Sequence, residues 1–156
     1  MNIRWILKSF NDLTPGELYA VMRLRIEVFV VEQNCVFQDL DDKDQKCLHF
    51  MGWNDEMLYA YTRIVPPGVA YDLPAIGRVV TSSKARGSGL GRTLMEKSIT
   101  ETKKLYGNTD IKVGAQLYLK NFYTSLGFIQ SSGTYLEDGI EHIEMIKPAL
   151  PRKNPT

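Results

Sequence analysis

The stretch Arg86-Gly87-Ser88-Gly89-Leu90-Gly91 decides how this chain is interpreted. Its glycines leave several backbone amides unshielded and allow the angles that aim successive N–H groups at one point. An apolar run typical of a strand, residues 76–80, precedes it, and a run typical of a helix begins near Leu90. Because a helix N-terminus adds unpaired amides and a positive dipole end, the sequence predicts a phosphate site with Arg86 beside it.

Two better-known phosphate motifs are excluded residue by residue. A P-loop needs lysine where Arg92 stands and glycine where Arg86 stands. The dinucleotide fingerprint needs a last glycine where this chain has Arg92 or Leu94, depending on the starting glycine. The pattern that fits is R-x-x-G-x-G, formed by Arg86, Gly89 and Gly91.

The composition predicts one ordinary globular domain. The chain has 156 residues, 44% hydrophobic and 24% charged, and we expect a single domain over residues 1–147 with a flexible tail over 148–156. A formal net charge of +1 gives no general attraction for nucleic acid or for an anionic membrane. The sequence shows no signal-peptide pattern and no apolar run of membrane-spanning length, so the cytoplasm is the expected location.

Hydrophobic spacing and turn signals predict an α+β (mixed α/β) domain with the order β-α-β-β-β-α-β-α-β-β. Strands are expected at residues 4–8, 46–53, 57–65, 76–80, 110–114, 128–135 and 140–146. A capping box at Thr14 starts the first helix, whose apolar face comprises Leu18, Val21, Met22, Ile26 and Phe29. Two further helices are expected at residues 90–105 and 116–126. The acidic stretch 39–44 is expected to be a solvated loop, with attraction of a cationic amine or of a divalent cation as the alternatives.

A second motif lies downstream of the glycine-rich stretch. Residues 122–128, Phe-Tyr-Thr-Ser-Leu-Gly-Phe, resemble the F/L-Y-x-x-x-G-F segment of the GNAT superfamily of N-acetyltransferases, whose pyrophosphate motif is R-x-x-G-x-G. Longer segments, residues 24–35, 38–41, 114–116 and 138–143, resemble the ElaA-like subgroup of that superfamily. The two motifs stand in the family's order with a predicted strand between them.

The resemblance implies a GNAT-like fold, with a central mixed, mostly antiparallel sheet of about six or seven strands flanked by helices. It implies transfer of an acetyl group from the cosubstrate acetyl-CoA to a primary amine of a small molecule or peptide, by direct attack and without a metal. The pyrophosphate would bind the loop amides, and the thioester carbonyl would face amides near Val79 and Val80. The implied cofactor-binding residues are Val79, Val80, Thr81, Arg86, Gly87, Ser88, Gly89, Leu90, Gly91, Arg92, Gln116 and Tyr123.

The resemblance also implies catalytic roles. Tyr123 matches the family's tyrosine that protonates the leaving thiolate, and Gln116 stands where the broad family often has an asparagine on the cofactor arm. For the base that deprotonates the amine, His142 and His49 are preferred to Glu27 and Glu32, because imidazole titrates near neutral pH.

Two other functions stay open at this point. One is a CoA-binding sensor that has lost turnover, and the other is an acyltransferase similar to acyl-homoserine-lactone synthases. The intact R-x-x-G-x-G stretch argues against the second alternative. The sequence does not fix the acceptor or the oligomeric state, and a homodimer is one option.

Overall fold

The computed structural model describes residues 1–151, which form a mixed sheet of eight strands with three α-helices. The strands are β1 Arg4–Ser9, β2 Leu48–Asn54, β3 Met57–Val65, β4 Ala75–Thr81, β5 Ile111–Gln116, β6 Ile129–Gln130, β7 Tyr135–Glu137 and β8 Ile140–Lys147. The helices are α1 Pro15–Ile26, α2 Leu90–Tyr106 and α3 Lys120–Ser125. The sheet order is β1-β2-β3-β4-β5-β8-β6, with β7 also paired to β8.

Helices cover both faces of the sheet. On one face, Val21 and Leu24 of α1 pack against Tyr61 of β3. On the other, Leu94 of α2 packs against Ala60, the neighbour of Tyr61 along the same strand. Since successive strand residues point to opposite faces, β3 is buried on both sides and carries the centre of the core. We call these the α1 face and the α2 face.

The first helix begins where the sequence predicts, but its buried face differs from the predicted one. Thr14 and Glu17 form the reciprocal capping box, with N–H···O distances of 2.9 and 3.1 Å. The apolar face is wrong at Ile26, which is 40% exposed, because the buried face of α1 runs through Val21, Leu24 and Arg25. After Ile26 the chain continues as a π-helical segment, Glu27–Glu32.

The predicted strands are present, with one difference that raises their number to eight. In place of one strand over residues 128–135 the chain has two short ones, β6 and β7, which pair with different parts of β8. Ser131 keeps the edge continuous by donating its N–H to the Glu144 carbonyl at 2.8 Å. The helix expected from residue 116 begins later, at Lys120, because Gln116 still belongs to β5.

The adjacent parallel strands β4 and β5 separate soon after they meet. Within the described residues they pair at Ala75 and Lys112, near the start of each strand. Beyond that point no further pairing joins them within residues 1–151, and we call the region between their carboxyl ends the cleft. The N-terminus of α2 follows β4 and α3 follows β5, so both motifs found in the sequence lie at this cleft.

The predicted tail, residues 148–156, is described as far as Pro151, and residues 152–156 lie outside the described part. Ala149 and Leu150 donate backbone N–H groups to the side chains of Asp110 and Asn108, at 2.7 and 2.8 Å. Among the helices of residues 1–151, none is long and apolar enough to span a membrane.

Candidate active site

The glycine-rich stretch, residues 86–91, forms an open loop at the N-terminus of α2; we call it the glycine loop. Gly87 and Gly89 have φ values of 83° and 79°, which glycine adopts at little cost. A Cβ at either position would have nothing within 4 Å, so the space in front of both residues is free. Gly89 is the N-cap of α2, whose first amides therefore point into this space. This geometry fits a phosphate group.

Arginine side chains flank the glycine loop on two sides. Arg86 pairs with Glu32 at the end of the π-helical segment, 2.7 Å between Nη2 and Oε2, and both side chains are partly exposed. Arg92 donates from Nη1 to Ser125 Oγ at 2.9 Å and so links the first turn of α2 to the end of α3. The loop thus has an arginine at each edge, and each is paired with a carboxylate, Arg86 with Glu32 and Arg92 with Glu96 at 3.0 Å.

A β-bulge in β4 lies directly before the loop. Val80 is opposite Tyr61 and Gly77 is opposite Arg63, so β4 carries one more residue than β3 over this interval. Arg78 takes the extra position with a φ of 50°. Val79 packs toward the α2 face and Val80 toward the α1 face. Within residues 1–151 β4 pairs with β5 only at Ala75, so the part of β4 that contains the bulge has no strand partner on the β5 side.

Tyr123 lies on α3 with its ring in the core on the α2 face. The residue is 4% exposed, and its ring packs edge-on against Phe122 and Phe128. Its hydroxyl has no hydrogen-bond partner within residues 1–151, and it is not among the fully buried unpartnered atoms there. Burial raises the pKa of Tyr123, which keeps the phenol protonated at neutral pH.

Gln116, the last residue of β5, is paired with Gln33, which the sequence reasoning missed. The two side-chain amides exchange hydrogen bonds of 3.1 and 3.3 Å across the gap between the π-helical segment and β5. Gln116 lies on the α1 face, since its neighbour Ala115 packs on the α2 face. The predicted contact of Gln116 with a cofactor arm would therefore compete with Gln33.

His142 lies directly opposite Gln116 on β8, and hence on the α1 face of the same strand ends. Its Nδ1 is 2.7 Å from the Ile140 carbonyl, which can only accept, so Nδ1 carries the proton in the neutral ring. The lone pair is then on Nε2, 3.5 Å from a carboxylate oxygen of Glu137. Tyr135 stacks on the imidazole at a centroid distance of 5.9 Å. Ile140 and Tyr135 thus fix the ring, and its Nε2 faces the carboxylate of Glu137, which is 59% exposed.

His49, the other predicted base, is placed differently. It is fully buried, with Nε2 2.9 Å from the Asp44 carbonyl and Nδ1 2.7 Å from the Tyr61 hydroxyl. Both ring nitrogens are therefore occupied, and burial lowers the pKa of His49, which favours the neutral ring. His49 has no free nitrogen for a substrate proton, and the structure corrects the prediction that it acts as a base.

The acidic stretch 39–44 is also not the solvated loop expected. Asp39 and Asp44 are buried, and together with Asp41 they pair with three arginines from three different elements. We call this set the arginine–aspartate cluster: Arg25 of α1, Arg63 of β3, Arg78 of the β4 bulge, Asp39, Asp41 and Asp44. An arginine within the apolar repeat of α1 was the one sequence signal for this cluster.

The two cysteines, Cys35 and Cys47, are buried free thiols. Burial raises the pKa of Cys47 to about 11, and Cys35 donates to the Asp138 carbonyl at 3.3 Å. Within residues 1–151, no three His, Cys, Asp or Glu side chains are grouped as metal ligands.

Comparison with known proteins identifies the family. Residues 20–149 match the model of the acetyltransferase (GNAT) domain. A UPF0039 protein of Synechocystis sp. is 40% identical over 147 residues, covering 94% of this chain and 96% of that protein.

Two solved structures have the same architecture over nearly the whole chain. An acyl-CoA N-acyltransferase from Pseudomonas aeruginosa has a TM-score of 0.90 at 42% identity, covering 94% of this chain and 99% of its own. ElaA of Escherichia coli has a TM-score of 0.88 at 38% identity, with the same coverage of 94% and 99%. The chain therefore belongs to the GNAT acetyltransferase family, among relatives of ElaA.

Proposed function

We propose that this protein is an acetyl-CoA-dependent N-acetyltransferase that acts on a primary amine of a small molecule or peptide. The observation that carries the proposal is the arrangement at the cleft between β4 and β5. An open anion site, free amides of a bulge and a protonated tyrosine follow one another there. The name of the Pseudomonas aeruginosa relative, an acyl-CoA N-acyltransferase, supports the same class of reaction.

The donor would be held by groups of the chain that need little rearrangement. The amides of residues 87–91 and the start of α2 would bind the pyrophosphate, with Arg86 and Arg92 at its edges. The unpaired edge of β4, Val79 to Thr81, would accept the extended arm as an additional strand, because β5 leaves that edge free. Amides near Val79 and Val80 would then stabilise the charge that develops on the thioester oxygen.

Acid and base lie on opposite faces of the sheet. Tyr123 is on the α2 face and His142 on the α1 face, with the cleft between them. The amine nitrogen would attack the carbonyl carbon from the α1 side, forming the N–C bond and losing one proton to Nε2 of His142. The C–S bond breaks, and the departing thiolate takes the proton of the Tyr123 hydroxyl. Acid and base then exchange protons with solvent.

The test is a thiol-release assay with acetyl-CoA and a panel of polyamines, aminoglycosides and peptide amines. Wild type is expected to release thiol with at least one acceptor. Tyr123→Phe is expected to lower turnover by about a hundredfold while acetyl-CoA affinity stays unchanged, since it removes only the acid. Tyr19→Phe is the matched control, because Tyr19 is 73% exposed on α1. Tight acetyl-CoA binding with no release for any acceptor would favour a sensor.

The base has a separate test in the turnover of a His142 variant. His142→Gln is expected to lower turnover by about a hundredfold while acetyl-CoA affinity stays unchanged, because the nitrogen that would accept the amine proton is gone. Turnover equal to that of wild type in this variant would contradict the role of His142.

Donor specificity is tested by varying the acyl chain and the carrier of the thioester. Propionyl-CoA, hexanoyl-CoA and an acyl carrier protein thioester would be compared with acetyl-CoA under identical conditions. Acetyl-CoA is expected to give the highest kcat/KM, and a preference for the carrier-protein thioester would instead indicate a reaction similar to acyl-homoserine-lactone synthesis.

A further inference from the structure

The backbone of Arg78 is unusual for its residue type. Its φ of 50° lies in the left-handed region, which arginine enters at a cost of about 1–2 kcal/mol. The other residues with positive φ, apart from glycines, are Asn34, Asp42, Asp55 and Asp138, whose short polar side chains tolerate that region better. Favourable contacts must therefore offset this backbone strain, and the side chain of Arg78 makes them.

The Arg78 guanidinium is held from the loop at residues 39–41. Its Nη2 donates to the Asp39 carbonyl at 2.9 Å and lies 3.4 Å from Asp41 Oδ2. Its Nε is 2.9 Å from Asp39 Oδ1, an ionic contact whose angle is too oblique for a hydrogen bond. The backbone carbonyl and both carboxylates thus fix the far end of the side chain.

Asp39 is itself immobilised from the opposite side. Arg25 Nε donates to Asp39 Oδ2 at 2.9 Å, and Arg25 Nη1 donates to Asp44 Oδ1 at 2.7 Å. Arg25 is fully buried and Asp39 is 3% exposed. Arg63 joins Asp41 and Asp44 at 2.8 and 3.0 Å. With three arginines and three aspartates the cluster is electrically balanced, and it anchors the bulge to α1 and β3.

We infer that Arg78 is a positioning residue, which holds the β4 bulge so that the amides near Val79 and Val80 face the thioester carbonyl. This inference rests on the proposed function. A bulge redirects backbone groups away from the ladder, and an oxyanion site loses its effect when its donors move by a fraction of an ångström. The arginine–aspartate cluster would supply the rigidity that the diverged β5 no longer gives to β4.

The experiment measures polarisation of the carbonyl directly. Difference infrared spectra of acetyl-CoA with ¹³C at the thioester carbonyl would be recorded free and bound to wild type, Arg78→Gly and Arg78→Lys. Glycine accepts the positive φ but lacks the guanidinium, and lysine keeps the charge but cannot reach the same set of oxygens. Lys104→Ala is the control, since Lys104 pairs with Glu101 on the exposed side of α2.

Wild type and Lys104→Ala are expected to lower the carbonyl frequency on binding. Arg78→Gly is expected to lose about half of that shift or more, and Arg78→Lys a smaller part, with acetyl-CoA affinity within about threefold because the glycine loop is intact. A full shift in folded Arg78→Gly would overturn the inference. If that variant does not fold, a full shift in Arg78→Lys overturns it instead.

The proposed function and the positioning role fail in different ways. Wild type that does not bind acetyl-CoA would overturn the proposed function and the inference with it. Wild type that binds without any carbonyl shift would overturn only the placement of the oxyanion amides, and with it the role of Arg78.

Discussion

The glycine loop and the arginine–aspartate cluster both concentrate charge near β4, by different means. The loop uses backbone amides and two partly exposed arginines within seven consecutive residues, 86–92. The cluster uses six side chains between positions 25 and 78, which folding brings together in the interior. The loop leaves the space at Gly87 and Gly89 open, and its arginines are held by exposed or partly exposed ion pairs, whereas the cluster neutralises its charges in the interior. We therefore expect the glycine loop, which follows Thr81 in the chain, to bind the ligand, and the arginine–aspartate cluster, whose residues precede Thr81, to keep β4 rigid.

The largest effect is expected from Arg25→Ala, which breaks the cluster. It would leave Asp39 and Asp44 buried with fewer partners, and removing one member of a buried ion pair costs about 3–5 kcal/mol. Urea unfolding followed by circular dichroism measures this loss. The control Lys104→Ala removes an exposed pair and is expected to cost less than about 1 kcal/mol. Equal losses in the two variants would show that the cluster is not a rigid anchor.

Low pH is expected to reduce the free energy of unfolding through the same cluster. Burial opposes ionisation of Asp41 and Asp44, but hydrogen bonds and charges from Arg63 and Arg25 prevail and hold both pKa values below the ordinary one. Their contribution is therefore complete above about pH 4 and is lost as the pH falls through the lowered values. Unfolding measured between pH 6 and pH 2 should show this decline, and Asp41→Asn should make it shallower. An unchanged slope in Asp41→Asn would contradict the assignment.

A smaller effect is expected in the glycine loop. Gly89→Ala introduces a Cβ at a φ of 79°, which costs about 1–2 kcal/mol of backbone strain although the space around it is free. We expect weaker acetyl-CoA binding by calorimetry, because the amides of the loop shift. Gly16→Ala is the matched control, since its Cβ also meets nothing within 4 Å, its φ is not positive and it lies in α1. If both variants bind equally, the left-handed geometry of the loop is irrelevant.

The smallest effect concerns the ion pair between Arg86 and Glu32. Because this pair is partly exposed, it is worth less than about 1 kcal/mol, and Glu32→Gln should tighten acetyl-CoA binding by less than about fivefold. Arg86→Ala should weaken it by about tenfold. Glu101→Gln is the control for the loss of one carboxylate. Weaker binding in Glu32→Gln would mean that Glu32 orients Arg86 and does not compete for it.

Features encoded by neighbouring residues were predictable from the sequence. The family, the order of elements, the capping box at Thr14 and the Asp138-Gly139 turn all depend on short patterns. The turn residues have φ values of 52° and 78°, as a two-residue hairpin requires. The glycine loop is predictable for the same reason, since its chemistry is in the backbone.

Features that depend on contacts between distant residues were not predictable. The charges of residues 39–44 suggested solvent exposure, because no local pattern shows that Arg63 and Arg78 would neutralise them. The two histidines were equivalent in the sequence, and only the pairing of β8 with β5 placed His142 opposite Gln116 while His49 was buried under Asp44. The pairing of Gln33 with Gln116 could not be predicted for the same reason, since the two residues are 83 positions apart.

The central claim is that acetyl-CoA binds at the glycine loop and along the free edge of β4. Backbone amide shifts of ¹⁵N-labelled protein, titrated with acetyl-CoA, test it most directly. We expect saturable shifts concentrated at Gly87, Gly89 and Gly91, at residues 79–81 and around Tyr123, with the arginine–aspartate cluster almost unaffected. Shifts that saturate elsewhere, or no shifts at millimolar acetyl-CoA, would contradict it.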